Sequence, residues 1–214
     1  MRKTISLILA FVLTFSIFIN TWNVYADDLY EEAGNILKEL GVLKGDEKGN
    51  LQLNNYFTRE QMVVMMSRLF NEENNAKSFN DPKTPNTFKD LTGQNESVKF
   101  YTPYIRWAVS KGLIKGFEDG TFGFGKNVTV QQYQAVLLRA LKYTEEADDW
   151  NNVPQHAEKY NLMKGLSLSP TQYLTRGQMA VMTLNALQQE INRGLITLAE
   201  WLEISLPKPF EIEA

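Results

Sequence analysis

Two arginines, Arg59 and Arg176, occupy positions at which proteins commonly bind an anion. Each follows a threonine that is placed to cap a helix, and the free N–H groups and dipole of a helix N-terminus attract negative charge. The guanidinium group adds a planar pair of donors that matches a carboxylate. The pattern predicts a carboxylate-binding role for both residues, with a solvated surface arginine as the alternative.

Few residues in the chain are suited to covalent or metal chemistry. The sequence has one histidine, His156, and no cysteine, so it offers no thiolate metal site, no disulfide and little basis for a catalytic triad. It contains neither a G-x-S-x-G sequence nor a Walker phosphate loop, and Glu118-Asp119-Gly120 lacks the alternating ligands of a calcium loop. We therefore predict a protein that is not an enzyme and uses no cofactor or metal. Glycoside hydrolysis by two carboxylates stays open, because acidic residues are plentiful.

The two arginines belong to a pattern that occurs three times. Each copy has two apolar residues and Lys-Gly, then a loop, then a threonine that opens a capping box with glutamine three residues later. An apolar stripe at helical spacing follows each box. The Lys-Gly pairs are Lys44-Gly45, Lys115-Gly116 and Lys164-Gly165, and the boxes begin at Thr58, Thr129 and Thr175. Self-similarity of this kind predicts repeated units that fold together.

The elements that position these residues are predicted to be helices joined by polar loops. Apolar spacing predicts a helix over 27–40, and the first capping box predicts a second over 58–70. Segment 71–87 is rich in Asn, Pro and Lys, so it is predicted to be an exposed connector. Pro103 is expected in the first turn of a helix over 104–111.

The last part of the chain is also predicted to be helical. The helix that begins at the third box is expected to continue to about Arg193 and to stop at Gly194. Thr197 opens a further capping box, which predicts a short C-terminal helix.

Within this pattern, the sequence resembles the S-layer homology domain family over about residues 29 to 187. The residues that carry the resemblance are Phe88-Lys-Asp90, Trp107, the loop from Gly112 to Phe122, and the helix starts Thr58-Arg59 and Thr175-Arg176. The resemblance implies a mainly α fold in which three helix–loop–helix repeats form a pseudo-threefold spindle around a central helical bundle. The final capping box adds the short C-terminal helix.

The resemblance also implies boundaries for the units. They are a first unit over 27–70, a connector over 71–87, a second unit over 88–142, a third unit over 150–193, and the C-terminal helix and tail over 194–214. The second unit is nearest to the family pattern, and the first and third are degenerate. Val130 stands where the second unit is expected to have its arginine, so the number of functional grooves, two or one, is left open.

A function follows from the resemblance. In the family, grooves between units bind secondary cell-wall polysaccharide, often pyruvylated, and so hold a surface protein on the bacterial wall. The pyruvyl carboxylate would then be the partner of Arg59 and Arg176. Trp107 would stack on a sugar face, with a buried core tryptophan as the alternative. Asp90 and Asp46 would accept hydrogen bonds from sugar hydroxyls, with structural capping as the alternative.

Two other functions stay open at this stage. The first is a scaffold or protein-interaction module at the cell envelope whose degenerate units bind no sugar, and any protein partner of it is unknown. Val130 and the single tryptophan at the family position, Trp107, favour this alternative. The second is a hydrolase that acts on a wall polymer.

Segment 1–26 has the pattern of a secretory signal peptide. Arg2-Lys3 precedes an apolar run from Ile5 to Ile19, and Val24-Tyr25-Ala26 forms a cleavage site. The apolar run is shorter than the roughly 20 residues that span a bilayer, so we predict secretion to the bacterial cell wall or surface layer. An uncleaved membrane anchor is the alternative. The chain has 22 basic and 25 acidic residues, which argues against a nucleic-acid partner.

Overall fold

The computed structural model describes residues 27–93, 95–208 and 210–212. Helices account for its regular structure: α1 (27–39), α2 (Arg59–Leu69), α3 (Glu73–Lys77), α4 (Glu96–Ser110), α5 (Val130–Ala140), α6 (Thr144–Asp148), α7 (Val153–Lys159), α8 (Arg176–Leu187) and α9 (Leu198–Trp201), with 3-10 turns at Lys89–Leu91 and Trp150–Asn152. The predicted mainly α fold class is confirmed. The predicted signal peptide lies outside the described residues. Within the described ranges, no helix combines the length and the apolar character needed to cross a bilayer.

Local hydrogen bonds fix where four of the helices begin. Thr58, Thr129, Thr175 and Thr197 each accept a hydrogen bond from the backbone N–H three residues later, and the Gln or Glu side chain at that position binds back to the threonine backbone. These reciprocal bonds satisfy donors that a helix N-terminus otherwise leaves free. The predicted capping boxes of α2, α5, α8 and α9 are therefore confirmed.

The segments that precede α2, α5 and α8 pair with one another in a closed ring. Phe57 N donates to Leu174 O at 3.0 Å, Leu174 N donates to Val128 O at 2.9 Å, and Val128 N donates to Phe57 O at 2.8 Å. Antiparallel bridges between the neighbouring residues accompany these bonds. The ring places the first residue of each following helix beside another of the three segments.

Helix α8 lies at the centre of the hydrophobic core. All of its residues from Gly177 to Leu187 are buried, as expected of a helix with neighbours on every side. The polar groups on it have partners: Tyr133 Oη of α5 and Thr183 Oγ1 are 2.7 Å apart, and Thr183 Oγ1 donates to Met179 O. Buried polar groups thus keep the hydrogen bonds that they would lose on leaving water.

Two predictions of secondary structure, an irregular connector over 71–87 and a helix over 104–111, are wrong. The 71–87 connector contains helix α3, whose Ala76 is buried. Helix α4 begins at Glu96, capped by a hydrogen bond of 2.8 Å from Ser97 N to Asn95 Oδ1, so Pro103 lies inside the helix. Proline inside a helix removes one hydrogen bond and crowds the carbonyl group four residues earlier, a cost that the cap and the packing of α4 against α2 and α3 offset.

Helix α8 ends earlier than predicted, at Leu187 instead of near Arg193. The chain turns back on itself, because Ile191 N donates to Ile196 O at 3.1 Å and Glu190 forms a bridge with Thr197. The expected stop signal, Gly194, therefore lies within this turn.

The C-terminal tail packs against the loop that follows α7. Phe210 and Ile212 are buried, and a Cβ atom added to Gly165 would lie only 2.8 Å from Cδ1 of Ile212. Lys208 of the tail pairs with Glu32 of α1. The tail consequently covers the third of the three Lys-Gly loops.

Candidate functional site

Two clefts are built from the same face of two helices. The first cleft has a volume of about 490 Å³ and lies on α2, and the second has a volume of about 640 Å³ and lies on α5. The lining residues are Gln61, Val64, Met65 and Arg68 in the first cleft, and Gln132, Ala135, Val136 and Arg139 in the second. Both sets stand 3, 6, 7 and 10 residues after the capping threonine. The two clefts are therefore equivalent positions in the repeated pattern.

Each cleft is completed by the lysine of a Lys-Gly loop and by an arginine from a distant part of the chain. The first cleft is lined by Lys44 and by Arg176, and the second by Lys115 and by Arg59. The two arginines that the sequence analysis selected thus both lie at a cleft, each against a loop distant from it in sequence.

Hydrogen bonds hold Arg59 against the loop that it faces. Its Nε donates to Phe122 O at 2.7 Å, its Nη2 donates to Lys115 O at 3.3 Å, and its Nη1 donates to Gln132 Oε1 at 3.4 Å. The guanidinium carbon also lies 4.7 Å from the ring centre of Phe117, within the range of a cation–π interaction. Arg59 therefore stabilises the loop as well as lining the second cleft.

Arg59 stays positively charged at neutral pH although its side chain is buried. Loss of water lowers the pKa of Arg59 to about 10, and the carboxylates of Asp90 and Glu60 act in the opposite direction. A group with that pKa is protonated at neutral pH, so the second cleft keeps this positive charge.

Arg176 binds the first loop in the same way. Its Nε donates to Leu51 O and its Nη2 donates to Lys44 O, both at 2.8 Å. Lys44 and Leu51 stand one residue before and six residues after Gly45, where Lys115 and Phe122 stand relative to Gly116. Each arginine thus fixes a neighbouring loop through equivalent carbonyl groups.

The first cleft concentrates positive charge. Burial lowers the pKa of Arg176, and the nearby charge of Arg68 lowers it further, so the two guanidinium groups repel each other. The lining of this cleft has four basic residues and the single acid Glu73, whereas the second cleft has four basic and three acidic residues. Both clefts therefore carry more basic than acidic residues, and the first has the larger excess of positive charge.

Asp90 organises the second loop. Its carboxylate accepts hydrogen bonds from the backbone N–H groups of Phe122, Gly123 and Phe124 at 2.8, 2.8 and 2.9 Å. Burial alone would raise the pKa of Asp90, but these bonds lower it below the ordinary value. This geometry favours the structural alternative left open by the sequence.

Asp46 and Trp107 also have structural contacts. Asp46 accepts hydrogen bonds from the backbone of Lys48 and Asn50, which closes the turn of the first loop. The side chain of Trp107 is 1% exposed and its Nε1 donates to Glu72 at 3.0 Å. Because the ring is enclosed in the core, the predicted stacking of Trp107 on a sugar is wrong.

Other aromatic rings line the clefts instead. Phe100 is 52% exposed at the first cleft, and Trp150 is 49% exposed at the second. Neither stands at a repeated position, so the pattern could not have selected them. Arg68 and Arg139 were also missed, although their common distance of ten residues from the capping threonine was a readable signal.

The third equivalent position keeps Lys164 but has neither arginine. Asn185 replaces the arginine ten residues after the capping threonine and donates to Lys164 O at 2.9 Å, and Val130 replaces the arginine at the helix start and is buried. Ile212 of the tail lies on Gly165 there.

The described residues also contain no group of three or more His, Cys, Asp or Glu side chains that could hold a metal ion.

Comparison with known protein families identifies part of the chain. Residues 94–129 match the S-layer homology domain family. This part of the chain is similar to an S-layer homology domain. The matched segment runs from the start of α4 through the loop that Arg59 and Asp90 hold, and it ends at the capping residue Thr129. The resemblance predicted from the sequence is thereby confirmed.

Several bacterial proteins are similar to about two thirds of the chain or more. The chain is 25% identical over 157 residues to a Middle cell wall protein of Brevibacillus brevis, covering 72% of this chain and 14% of the relative. It is 28% identical over 155 residues to the S-layer protein sap of Bacillus anthracis, covering 69% and 18%. An Endoglucanase of Bacillus sp. strain KSM-635 is 27% identical over 143 residues, covering 67% and 13%. The chain thus spans less than a fifth of each relative, and the last match carries no inference about catalysis.

The S-layer homology domain and these relatives support a module that attaches at the bacterial cell surface. They confirm the predicted location at the cell wall or surface layer, and they favour a non-catalytic module over an enzyme.

Proposed function

We propose that the chain anchors to the bacterial cell wall by binding a pyruvylated secondary cell-wall polysaccharide in the first and second clefts. One observation carries the proposal: each cleft brings together basic residues from three separate places in the sequence. They are Lys44, Arg68 and Arg176 in the first cleft, and Lys115, Arg139 and Arg59 in the second. Since the chain as a whole is negatively charged, an acidic glycan must be held by such local groups.

The proposed interaction has a charged part and an apolar part. The pyruvyl carboxylate would pair with the basic groups, because charge-assisted hydrogen bonds to a guanidinium group are among the strongest that proteins form. A sugar ring would pack its C–H face against Phe100 in the first cleft and Trp150 in the second, since these rings are exposed at the cleft margins.

We further propose that the three predicted units share one architecture, in which only two of the three equivalent positions bind glycan. The ring formed by Phe57, Val128 and Leu174 supports the shared architecture. The uncharged Val130 and Asn185 support the loss of the third site.

Sedimentation with purified cell walls tests the proposal. Arg68→Gln with Arg139→Gln should weaken wall binding about tenfold or more, since a hydrogen bond to a charged group contributes about 1.5–3 kcal/mol. Walls stripped of pyruvylated polymer should bind neither protein. The matched control is Arg106→Gln, which removes an arginine that binds backbone carbonyls of Thr84 and Asp81 away from the clefts.

Unchanged binding in the double variant and on stripped walls would contradict the proposal. Arg59→Ala with Arg176→Ala provides a second test, with circular dichroism to verify folding, because these arginines also hold the loops. Sugar released into the supernatant on prolonged incubation would instead support a wall-polymer hydrolase.

An exposed apolar surface favours a protein-interaction module as a second candidate. Leu195 is 96% exposed, and Ile196 and Trp201 nearby are also exposed. Proteins seldom expose such residues together without a partner. Binding to stripped walls that is lost after protease treatment of the walls would support this candidate.

A further inference from the structure

Each cleft already contains a carboxylate that belongs to the protein. In both clefts one acidic side chain bridges the loop lysine and the arginine that stands ten residues after the capping threonine. The bridging acids are Glu73, at 2.9 Å from Lys44 Nζ and 2.8 Å from Arg68 Nε, and Asp148, at 2.7 Å from Lys115 Nζ and 3.1 Å from Arg139 Nη2.

The two acids come from unrelated places in the repeated pattern. Glu73 begins α3, fifteen residues after its capping threonine, whereas Asp148 ends α6, nineteen residues after its own. The basic residues keep their repeated positions. Two differently built segments therefore deliver the same charge to the same place, beside the same pair of basic groups.

Both acids are partly exposed to solvent. The side chain of Glu73 is 29% exposed and that of Asp148 is 37% exposed, so either can rotate into water. Ion pairs that are partly exposed contribute little stability, and an external carboxylate can therefore compete with them.

The arginine partners are more enclosed than the acids, whereas the lysine partners are more exposed. Arg68 and Arg139 are less exposed than Glu73 and Asp148, and among the described residues the buried Nε of Arg139 has no hydrogen-bond acceptor. The arginine of each cleft is thus held by its surroundings if the acid leaves.

At neutral pH both acids are ionised. Burial alone would raise the pKa of Glu73, but hydrogen bonds from Lys44 and Arg68 lower it below its ordinary value. The pKa of Asp148 is lowered chiefly by a hydrogen bond from Lys115, which outweighs the effect of burial, and further by a hydrogen bond from Arg139.

We infer that Glu73 and Asp148 are internal competitors, each occupying the place on its lysine–arginine pair that a glycan carboxylate takes on binding. The inference rests on the proposed function and specifies it: the group recognised is a carboxylate, which displaces the protein's own, and a neutral sugar has no means of doing so. A ligand without a carboxylate does not compete for the lysine–arginine pair, so its binding does not depend on these acids.

An NMR titration tests the inference in each cleft separately. The probe is a methyl hexoside that carries a pyruvyl ketal, and its methyl ester is the uncharged control. The Met65 methyl group reports on the first cleft, and the Trp150 indole N–H reports on the second, because each lines one cleft.

Glu73→Gln should tighten binding of the acidic probe roughly fivefold in the first cleft only, and Asp148→Asn should do the same in the second, as expected when a partly exposed ion pair of about 1 kcal/mol no longer competes. Binding of the methyl ester should not change. The matched control is Glu32→Gln, which removes the acid of the exposed pair with Lys208 outside both clefts.

The outcomes separate the inference from the proposed function. If the wild-type chain binds the acidic probe and Glu73→Gln binds it equally or more weakly, the acid positions the basic groups and the inference is overturned, while the proposed function stands. If neither the wild-type chain nor any variant binds the probe, both are overturned.

Discussion

Arg176 serves the fold and the first cleft with different parts of one side chain. Its Nε and Nη2 hold the carbonyls of Leu51 and Lys44, and the guanidinium group nevertheless lines the cleft. A lysine cannot replace it, because one ammonium group does not offer donors in a fixed plane. The group proposed to bind glycan is therefore also a group that holds the fold, which limits what a simple alanine substitution can report.

Replacement of Asp90 by asparagine should make the free energy of unfolding less dependent on pH in the acidic range. The folded-state pKa of Asp90 is depressed below 3.8, so its contribution is present above about pH 3.8 and is lost as the pH falls through the folded value. Asp90→Asn should lower the free energy of unfolding by about 2 kcal/mol at pH 7, and the difference should shrink towards pH 3. Urea unfolding from pH 7 to pH 3 measures this, with the exposed Asp28→Asn as control; a difference that does not change with pH would contradict it.

Trp107→Phe should separate stability from binding. Phenylalanine keeps the edge-to-face contact with Phe70, whose ring centre lies 6.0 Å away, but it loses the hydrogen bond to Glu72. We expect unfolding to become easier by about 1 kcal/mol with unchanged affinity for cell walls. Trp150→Ala, at the exposed ring of the second cleft, is the matched comparison and should weaken wall binding. Loss of wall binding in Trp107→Phe alone would contradict a purely structural role for Trp107.

At the scale of elements, the repeated Lys-Gly pair closes a loop that has no room for a side chain. A Cβ atom on Gly45 would lie 2.6 Å from the backbone carbon of Gly49, and one on Gly116 would lie 2.3 Å from the Phe88 ring and 2.8 Å from Thr121 O. Backbone atoms at such distances cannot move away without opening the loop. In the first two loops the glycine is required because the two arms approach closely, whereas Gly165 has a φ of 78° and lies against Ile212 of the tail.

Gly45→Ala and Gly116→Ala should each destabilise the fold by about 1–3 kcal/mol, as expected of overpacking. Each should also weaken wall binding at the cleft that its loop lines. Gly93→Ala is the control, since no described atom lies within 4 Å of the place that its added methyl group would take. Thermal unfolding monitored by circular dichroism measures the effect, and equal melting temperatures for all three variants would refute this account of the loops.

At the scale of the whole molecule, the three segments form one folding unit. Each segment before α2, α5 and α8 bonds to the other two, and α8 is buried along its length. No single unit could bury its apolar stripe alone, so stability depends on contacts between neighbours.

Unfolding in urea should therefore occur in one transition. Far-ultraviolet circular dichroism, which reports on all helices, and tryptophan fluorescence should give the same midpoint and slope. Separate transitions would show that the units fold independently. Leu174→Ala, at the ring, should lower the free energy of unfolding by about 2–5 kcal/mol, and by the same amount in both signals. Leu195→Ala, at an exposed site, should not change it in either signal.

The parts of the structure that depend on neighbours in sequence could be predicted, and the rest could not. The capping boxes at Thr58, Thr129 and Thr175 are local, so α2, α5 and α8 begin where the sequence indicated. Helix α3 was missed because its Asn-rich sequence forms a helix only by packing against α4. The competing acids were missed because Glu73 and Asp148 share no repeated position, and Trp107 was misassigned because exposure of a ring depends on residues far along the chain.

The ring of Phe57, Val128 and Leu174 has a mechanical consequence. A protein at the cell surface experiences mechanical force from fluid flow and from growth of the envelope. A force on one of the three segments is transmitted to the other two through the hydrogen bonds of the ring. To separate one segment from the ring, two of the three backbone hydrogen bonds must break together. The force is therefore distributed over all three segments before any helix unfolds.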